Sequence, residues 1–337
     1  MKRTMKKILA LTVCASMILG MTACGDKSSS EGDKTKITFC LDWTPNTNHT
    51  GLYVALANGY FEDEGLDVEI VQPAENTAAQ MCAAGEAQFA IEAQDTMAAS
   101  LASDDPLGIT AVATILQHNT SGIMSRKGDG ITRPAGLTGK TYSTWESPIE
   151  LAMLENVVNA DGGDFSKVKQ IPNDITDEPA ALKAKQTDAI WVFEGWSKIN
   201  ADVNNVPVDY FSFADMNPTF DYYTPVIIAN NDFLKESPDV AKAFMRAVKK
   251  GYEFAAENPD EAADILIEGD TTGSLKESEE LVKKSQEFLS KKYIDDAKSW
   301  GYIDPERWNN FYKWLYDNKL CSKDLTDKGF SNDYLED

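Results

Sequence analysis

Histidine and cysteine are scarce in this sequence, which limits the metal and redox chemistry it could carry. Among 337 residues there are two histidines and five cysteines. Cys40, Cys82 and Cys321 lie far apart, with neither the ligand spacing of a zinc site nor the pattern of a disulfide framework. We expect Cys40 and Cys82 to be small buried hydrophobes. The sequence therefore predicts no metal site.

Basic residues are also in deficit. The chain has 32 Lys and Arg against 54 Asp and Glu, a formal net charge of −22. Such an acidic surface repels phosphate backbones, which argues against a nucleic-acid partner. The sequence also lacks a nucleophile motif, a phosphate-binding glycine loop and a dinucleotide-binding turn. These absences favour a binding protein that uses no cofactor over an enzyme.

Long apolar runs are missing too, and the run at Ile8–Gly20 is too short to span a bilayer. It follows a basic start, Met1–Lys7, and precedes small residues, which is the order of an export signal. We predict a signal peptide over residues 1–23 and a lipid on Cys24, with an ordinary secretory signal as the alternative. The polar residues 24–35 would tether an exported protein to the outer face of the cell membrane.

Strand-like and helix-like patterns alternate through the body of the chain. Strands are predicted at Ile37–Leu41, Leu66–Val71, Gln88–Ile91, Ile109–Leu116, Lys140–Tyr142, Val168–Ile171, Asp188–Phe193 and Val226–Ala229. Helices are predicted between them, and the chain after the last strand is nearly all helix, ending with Pro305–Asp317. Repeated β–α–β units predict an α/β protein with a mostly parallel sheet covered by helices.

The order of these blocks predicts two αβ lobes joined by a hinge. Residues 36–122 together with 228–337 would form the first lobe, and 123–227 the second. The chain would cross between them at Ser121–Ser125 and Tyr223–Ala229. Ligands of open parallel sheets bind at the carboxyl ends of the strands, so we expect a cleft between the lobes that closes around a ligand.

The loop after the first predicted strand is the richest in binding chemistry. The sequence LDWTPNTNHTG supplies Asp42, Trp43, Asn46 and His49. Capping of the next helix would explain the asparagines and threonines. It would not explain Trp43 on a turn, because an indole there suits stacking against a flat ligand. Tyr53, a little further on, is a further candidate contact.

Two other strand ends carry polar side chains. The sequence EAQD places Glu92 and Gln94 at the third predicted strand end, facing the cleft. The sequence QHNTSG places His118 after another strand. A lone histidine is usually structural, and for His118 both a structural role and a ligand contact stay open.

The second lobe offers two aromatic stretches. Trp145 and Glu146 precede a predicted helix start, where backbone N–H groups can face a ligand, although capping by Ser147 also accounts for this stretch. In IWVFEGW, we expect Trp191 and Phe193 to be sheet core. We predict that Glu194 and Trp196 contact a ligand, since a carboxylate buried at Glu194 without a partner would be costly.

Aromatics and amides thus dominate the candidate site, which suits a flat polar heterocycle. The C-terminal aromatics Trp300, Trp308 and Trp314 recur at helical spacing and are predicted to be core.

Several segments resemble one known family. These are LDWTPNTNHTGLYVALANGYFEDEGLDVEI, LQHNTSG, GKTYSTWESPIE and NDFLKESPDVAKAFMRAVKKGYEFAAENPDEAADIL. They are similar to the substrate-binding lipoproteins that deliver the thiamine precursor formylaminopyrimidine, and the match runs from about Lys36 to Glu268. The opening motif is fairly specific. The last segment is shared with sulfonate, nitrate and riboflavin binders.

The resemblance implies a type 2 periplasmic-binding-protein fold and a monomer that works with an ABC permease and ATPase. It implies a pyrimidine, formylaminopyrimidine or hydroxymethylpyrimidine, held by aromatic stacking and polar side chains from both lobes. The positions that carry over by motif are Asp42, Trp43, Asn46, His49, Trp145 and Glu194. Riboflavin or an alkylsulfonate remains an alternative ligand.

One branch of the same superfamily is enzymatic, the fungal thiamine-pyrimidine synthase. The resemblance would place its pyridoxal-phosphate lysine and sacrificial histidine near AIEAQDT, where this chain has Glu92 and neither residue. Its iron-associated cysteines have no counterpart near Asp221–Ile228. These departures favour a binding protein, with the synthase as the alternative from another class.

Overall fold

The computed structural model describes residues 34–73, 76–172 and 175–336, so the predicted signal peptide, Cys24 and nearly all of the predicted tether lie outside the described residues. The described residues belong to one packed unit that begins at Lys34. The strands are β1 Thr35–Cys40, β2 Leu66–Val71, β3 Phe89–Glu92, β4 Ile109–Thr114, β5 Ser121–Arg126, β6 Thr141–Thr144, β7 Lys169–Pro172, β8 Ala189–Phe193, β9 Val208–Ser212 and β10 Val226–Asn230.

Helices connect and cover these strands. They are α1 Thr50–Ala57, α2 Tyr60–Asp63, α3 Ala78–Ala83, α4 Gln94–Ala102, α5 Pro148–Ala160, α6 Glu178–Lys183, α7 Ile199–Val203, α8 Phe213–Met216, α9 Asn231–Glu236, α10 Pro238–Glu257, α11 Pro259–Gly269, α12 Ser274–Glu277, α13 Glu279–Leu289 and α14 Pro305–Asp317. A 3₁₀ turn at Thr47–His49 precedes α1, and a π-turn at Glu194–Lys198 precedes α7.

The strands form two five-stranded sheets, one in each lobe. The first lobe has the order β2-β1-β3-β10-β4, and the second has β7-β6-β8-β5-β9. In the first, β1 runs parallel to β2 and β3, while β10 is antiparallel to β3 and β4. In the second, β6 is parallel to β7 and β8, while β5 is antiparallel to β8 and β9. The two-lobe α/β class is confirmed, but the sheets are mixed rather than mostly parallel. The first strand after each crossing between the lobes, β5 in the second sheet and β10 in the first, runs antiparallel to both of its neighbours.

The predicted first crossing was wrong in detail, because Ser121–Ser125 belongs to β5, inside the second sheet. Its serines and glycine have low strand propensity, so tertiary pairing decides its structure. Gly122 lies so close to β9 that an added Cβ would be 2.2 Å from the carbonyl oxygen of Phe211. The chain passes between the sheets at 115–120 and 221–225, since β10 occupies most of the second predicted crossing. The residue limits of the two lobes stay a prediction.

The first sheet is buried on both faces by aromatic side chains. On one face Phe244 of α10 stacks on Phe89 with ring centroids 4.0 Å apart. On the other, Trp308 of α14 joins a cluster that continues into the second lobe. The predicted core positions of Trp300 and Trp308 are confirmed, since both are fully buried, and Trp314 is partly buried against the same cluster. Helix α14 therefore packs against both lobes.

The described helices are too short or too polar to cross a membrane, judged over the described part of the chain.

Candidate functional site

The carboxyl ends of β1, β2 and β3 lie at one edge of the first sheet, because these strands are parallel. A crevice of about 600 Å³ opens there. We call it the first-lobe crevice; its wall is formed by Asp42, Trp43, Thr44, Gln72, Pro73, Asn76, Thr77, Ala78, Ile91, Glu92 and Thr96. The sequence-predicted residues Asp42, Trp43 and Glu92 are therefore brought together. This is the edge at which open α/β sheets bind ligands.

His49 holds Asp42 in place from beneath the crevice. Its Nε2 lies 2.8 Å from Oδ1 of Asp42, while its Nδ1 accepts the backbone N–H of Asn46 at 3.2 Å. The Nδ1 atom that accepts holds no proton, so Nε2–H donates to the carboxylate. His49 is fully buried, and so its part in the site is to orient Asp42 rather than to contact a ligand.

Trp43 presents its ring to solvent within this crevice. The side chain is 70% exposed. Among the tryptophans of the described chain, only Trp145 is also exposed. Burying a large aromatic ring is favourable, so an indole left uncovered at a concave surface is suited to receive a flat partner.

Glu92 supplies the second carboxyl group of the crevice. One of its oxygens accepts the backbone N–H of Ala93 at 3.0 Å and the hydroxyl of Thr96. Burial raises the pKa of Glu92, and the nearby charge of Asp42 raises it further, although these hydrogen bonds oppose the change. The carboxyl group therefore keeps its proton to a higher pH than a solvated glutamate does.

The second sheet is aromatic at the edge where β6 and β8 end. Trp145 follows β6 and is 51% exposed, with its ring centroid 6.0 Å from that of Trp191. Phe193 at the end of β8 is 39% exposed. Its predicted core position is therefore wrong, since Phe193 is the last residue of the strand and lines a small pocket with residues of the first lobe. Trp191 is buried as predicted.

The turn that carries Trp145 is fixed by a buried carboxylate. Glu150 accepts hydrogen bonds from the Tyr142 hydroxyl at 2.6 Å and the Thr144 hydroxyl at 2.9 Å. It also accepts the backbone N–H of Trp145 at 3.2 Å. Glu146 is exposed with φ of 61°, in the left-handed region. The backbone at Trp145 is thus held although its ring is free.

Glu194 lies in a different cavity from Trp43. This cavity of about 450 Å³, which we call the hinge cavity, is lined by His118, Asn119, Thr120, Glu194, Tyr210, Phe211, Ser212, Ala214, Asp215, Asp221 and Lys292. Burial raises the pKa of Glu194, whereas nearby Lys198 and Lys292 lower it. The sequence grouped Glu194 with the tryptophans of the cleft, but the wall of the first-lobe crevice does not include it.

The two lobes also touch at a narrow pocket that shares Thr120 with the hinge cavity. Asn46 and the neighbouring 3₁₀ turn line it from the first lobe, and Phe193 and Trp196 line it from the second. Its volume of about 20 Å³ is too small for a heterocycle. Trp196 packs against the cluster formed by α11 to α13, and the hydroxyl of Ser285 on α13 donates to the carbonyl of Gly195. Asn46 and Trp196, which were both predicted to contact a ligand, therefore lie where the two lobes touch.

Gln94 and Tyr53 lie away from all three cavities. Gln94 is fully buried; its amide nitrogen donates to the carbonyl of Trp308 at 2.8 Å and its oxygen accepts the N–H of Tyr223 at 3.0 Å. Tyr53 is packed among α11 to α13 near Gly269. Both side chains hold elements of the fold together. Their positions in the sequence could not distinguish this structural role from contact with a ligand.

Five polar residues of the crevice wall were missed. Thr44 follows β1, Gln72, Asn76 and Thr77 follow β2, and Thr96 lies in the first turn of α4. Their position after parallel strands was the available signal. Across residues 34–73, 76–172 and 175–336, no group of three His, Cys, Asp or Glu side chains could hold a metal ion.

Two mixed α/β sheets define a two-lobe fold of the periplasmic-binding-protein type, and comparison with solved structures agrees. The alkanesulfonate-binding protein SsuA from Xanthomonas axonopodis pv. citri has a TM-score of 0.66 at 11% identity, over 89% of this chain and 99% of that one. The nitrate-binding protein NrtA from Synechocystis PCC 6803 also has 0.66, at 15% identity, over 90% and 87%.

The chain belongs to the NMT1/THI5-like family, whose model matches residues 46–262. It is 30% identical over 316 residues to a formylaminopyrimidine-binding protein of Halalkalibacterium halodurans, covering 92% of both chains. It is 25% identical over 247 residues to a 4-amino-5-hydroxymethyl-2-methylpyrimidine phosphate synthase of Saccharomyces cerevisiae, covering 66% of this chain and 68% of the relative.

Proposed function

We propose that this protein is the extracytoplasmic substrate-binding component of an ABC importer, which captures a thiamine pyrimidine precursor between its lobes. Formylaminopyrimidine and hydroxymethylpyrimidine are the proposed ligands. An ABC permease and ATPase are the proposed partners, and a lipid on Cys24 the proposed anchor. One observation carries the proposal: the exposed ring of Trp43 lies in a crevice that also contains the carboxyl groups of Asp42 and Glu92.

The chemistry of this crevice matches an aminopyrimidine. The indole of Trp43 can stack on the ring, and Asp42, oriented by His49, can accept a hydrogen bond from an amino group. Glu92 has a raised pKa, so its protonated form can donate to a ring nitrogen while still accepting from an amine. A planar ring with alternating donors and acceptors uses all three groups.

The second lobe would complete the enclosure. Trp145 and Phe193 lie at the carboxyl ends of β6 and β8, which share an edge because these strands are parallel. A hinge motion that brings this edge onto the first-lobe crevice would cover the other face of the ring.

The same crevice weighs against an alkylsulfonate. The carboxylate of Asp42 would repel a negative sulfonate, and the described wall of the crevice contains no lysine or arginine to pair with it. Against a synthase, the segment Phe89–Thr96 contains no lysine and no histidine. A Schiff-base absorbance with pyridoxal phosphate, removed by borohydride, would favour the enzyme.

Calorimetry with formylaminopyrimidine tests the proposal. Trp43→Ala should lose about 1–3 kcal/mol of binding free energy, roughly 5- to 150-fold in Kd. Glu92→Gln should weaken binding more than Glu194→Gln, because only Glu92 lines the first-lobe crevice. The matched control is Tyr316→Ala, an exposed aromatic on α14, which should bind as wild type does.

Wild-type affinity in both Trp43→Ala and Glu92→Gln would remove the crevice as the ligand site. A thermal-shift panel separates the ligands, because a compound that binds only the native state raises the melting temperature. A rise with riboflavin or a sulfonate and none with either pyrimidine would replace the proposed ligand.

A further inference from the structure

His118 occupies the place where the two interlobe crossings meet. It belongs to the first crossing, 115–120, and its Nδ1 lies 2.6 Å from Oδ2 of Asp221 in the second crossing, 221–225. Its Nε2 lies 3.2 Å from Oδ1 of Asp296, in the first-lobe loop between α13 and α14. One side chain therefore connects both crossings to the first lobe.

The two carboxylate partners of His118 determine which ring nitrogens must carry a proton. An ionised carboxylate only accepts hydrogen bonds, and a neutral imidazole carries one N–H. Both contacts of His118 can be hydrogen bonds at once only when both ring nitrogens carry a proton. His49 differs, since one of its ring nitrogens faces a backbone N–H.

The carboxylate of Asp221 is the centre of this cluster. Its Oδ1 accepts the backbone N–H of Asn119 at 2.9 Å, and its Oδ2 lies 3.5 Å from Nε of Arg307. Arg307 also donates to the carbonyl of Gln117 in the first crossing. The crossings are thus fastened to α14 by charge-assisted contacts, which are stronger than neutral ones.

We propose that the protonated imidazole of His118 fastens the two crossings to the first lobe, and that the hinge loosens when His118 loses its proton. Loss of the proton removes the hydrogen bond to Asp296 and also removes the positive charge beside Asp221, so that only Arg307 of the two cations next to this carboxylate remains. The device works without a ligand and is independent of the proposed function.

The surrounding charges give the sign of the pH response. The hydrogen bond with Asp221 raises the pKa of His118 and Asp296 adds to it, while burial and Arg307 oppose the change. Glu194, Asp215 and Lys292 line the same cavity. Because the folded-state pKa is raised, the stabilisation is complete below the unfolded value of about 6.5 and is lost as the pH rises through the folded value.

Hydrogen exchange of the Asn119 amide tests the proposal in the ligand-free protein, since this N–H donates directly to Asp221. Corrected for the chemical exchange rate, its protection should fall about tenfold between pH 6 and pH 8.5 in the wild type. His118→Gln, always neutral, should show low protection at both pH values. His118→Arg, always charged, should show high protection at both.

A wild-type protection that does not change with pH, or a His118→Gln variant that keeps the wild-type response, would overturn the proposal. Ring ¹⁵N shifts provide a measurement that needs no variant, because the chain has only two histidines. At pH 6 both ring nitrogens of His118 should be protonated. A single protonated nitrogen at that pH would contradict the proposal.

Discussion

The two histidines lie in opposite surroundings although both follow first-lobe strands. His49 is fully buried beneath the crevice, with one carboxylate partner and one backbone partner. His118 is partly exposed at the hinge, with a carboxylate at each ring nitrogen. The first is held as one fixed tautomer, whereas the second satisfies its partners only when it is charged.

This difference shows that a histidine can either hold a neighbouring side chain in one orientation or make a set of contacts depend on pH. The backbone N–H that faces Nδ1 of His49 leaves Nε2–H to donate to Asp42, so Asp42 presents the same face to the crevice. The partners of His118 make its hydrogen bonds depend on pH. A ligand-binding wall needs the first property and a hinge can use the second.

The largest expected effect follows from removing the ring of His49, and the corresponding variant of His118 provides the comparison. His49→Ala should lower the free energy of unfolding by about 3 kcal/mol, because it leaves a buried cavity and an unpaired N–H at Asn46. His118→Ala should cost about 1 kcal/mol, since water can replace a partly exposed ring. Urea denaturation at pH 6 measures both values. Equal losses would break the distinction between the sites.

An intermediate effect is expected from the carboxylates that pair with the histidines. Asp221→Asn should cost about 2 kcal/mol, because an amide has one oxygen for the partners Asn119 and His118. Asp42→Asn should cost less than about 1 kcal/mol, since one oxygen suffices for His49. The same denaturation experiment ranks the two, and a costlier Asp42→Asn would contradict the assigned contacts.

The smallest effect concerns the outer contact of His118. Asp296 is 66% exposed, so Asp296→Asn should change the free energy of unfolding by about 0.5 kcal/mol or less. In 1 M salt the difference from wild type should vanish, because exposed charges are screened. A loss that is large and independent of salt would show that Asp296 acts through packing rather than charge.

Local patterns sufficed for the elements that carry their own signals. The strand Leu66–Val71 and the helix Pro305–Asp317 were predicted with their observed limits. The alternation of apolar and polar residues predicts the strand. The helix is predicted to begin where Asp304 can cap it and Pro305 can occupy its first position. The strand β5 was missed because Ser121, Gly122 and Ser125 form a strand only where β8 and β9 supply hydrogen-bond partners.

The candidate site divides in the same way. Asp42, Trp43 and Glu92 were identified from their positions after parallel strands, and the first-lobe crevice contains all three. Gln94 and Tyr53 were included on the same grounds, yet their side chains connect packed elements. A position after a strand predicts the edge of the sheet, but the backbone geometry of each turn decides which side chains face the crevice.

By itself the sequence determined the α/β class, the polar and aromatic inventory of the strand ends and the family, because periodicity, composition and motif order are properties of the chain alone. Tertiary structure decided that Glu194 shares a cavity with His118 rather than with Trp43, and that His49 is covered while His118 joins two crossings. Those outcomes depend on contacts between residues more than 100 positions apart, such as His118 with Asp221 and Asp296. No local pattern encodes such distances.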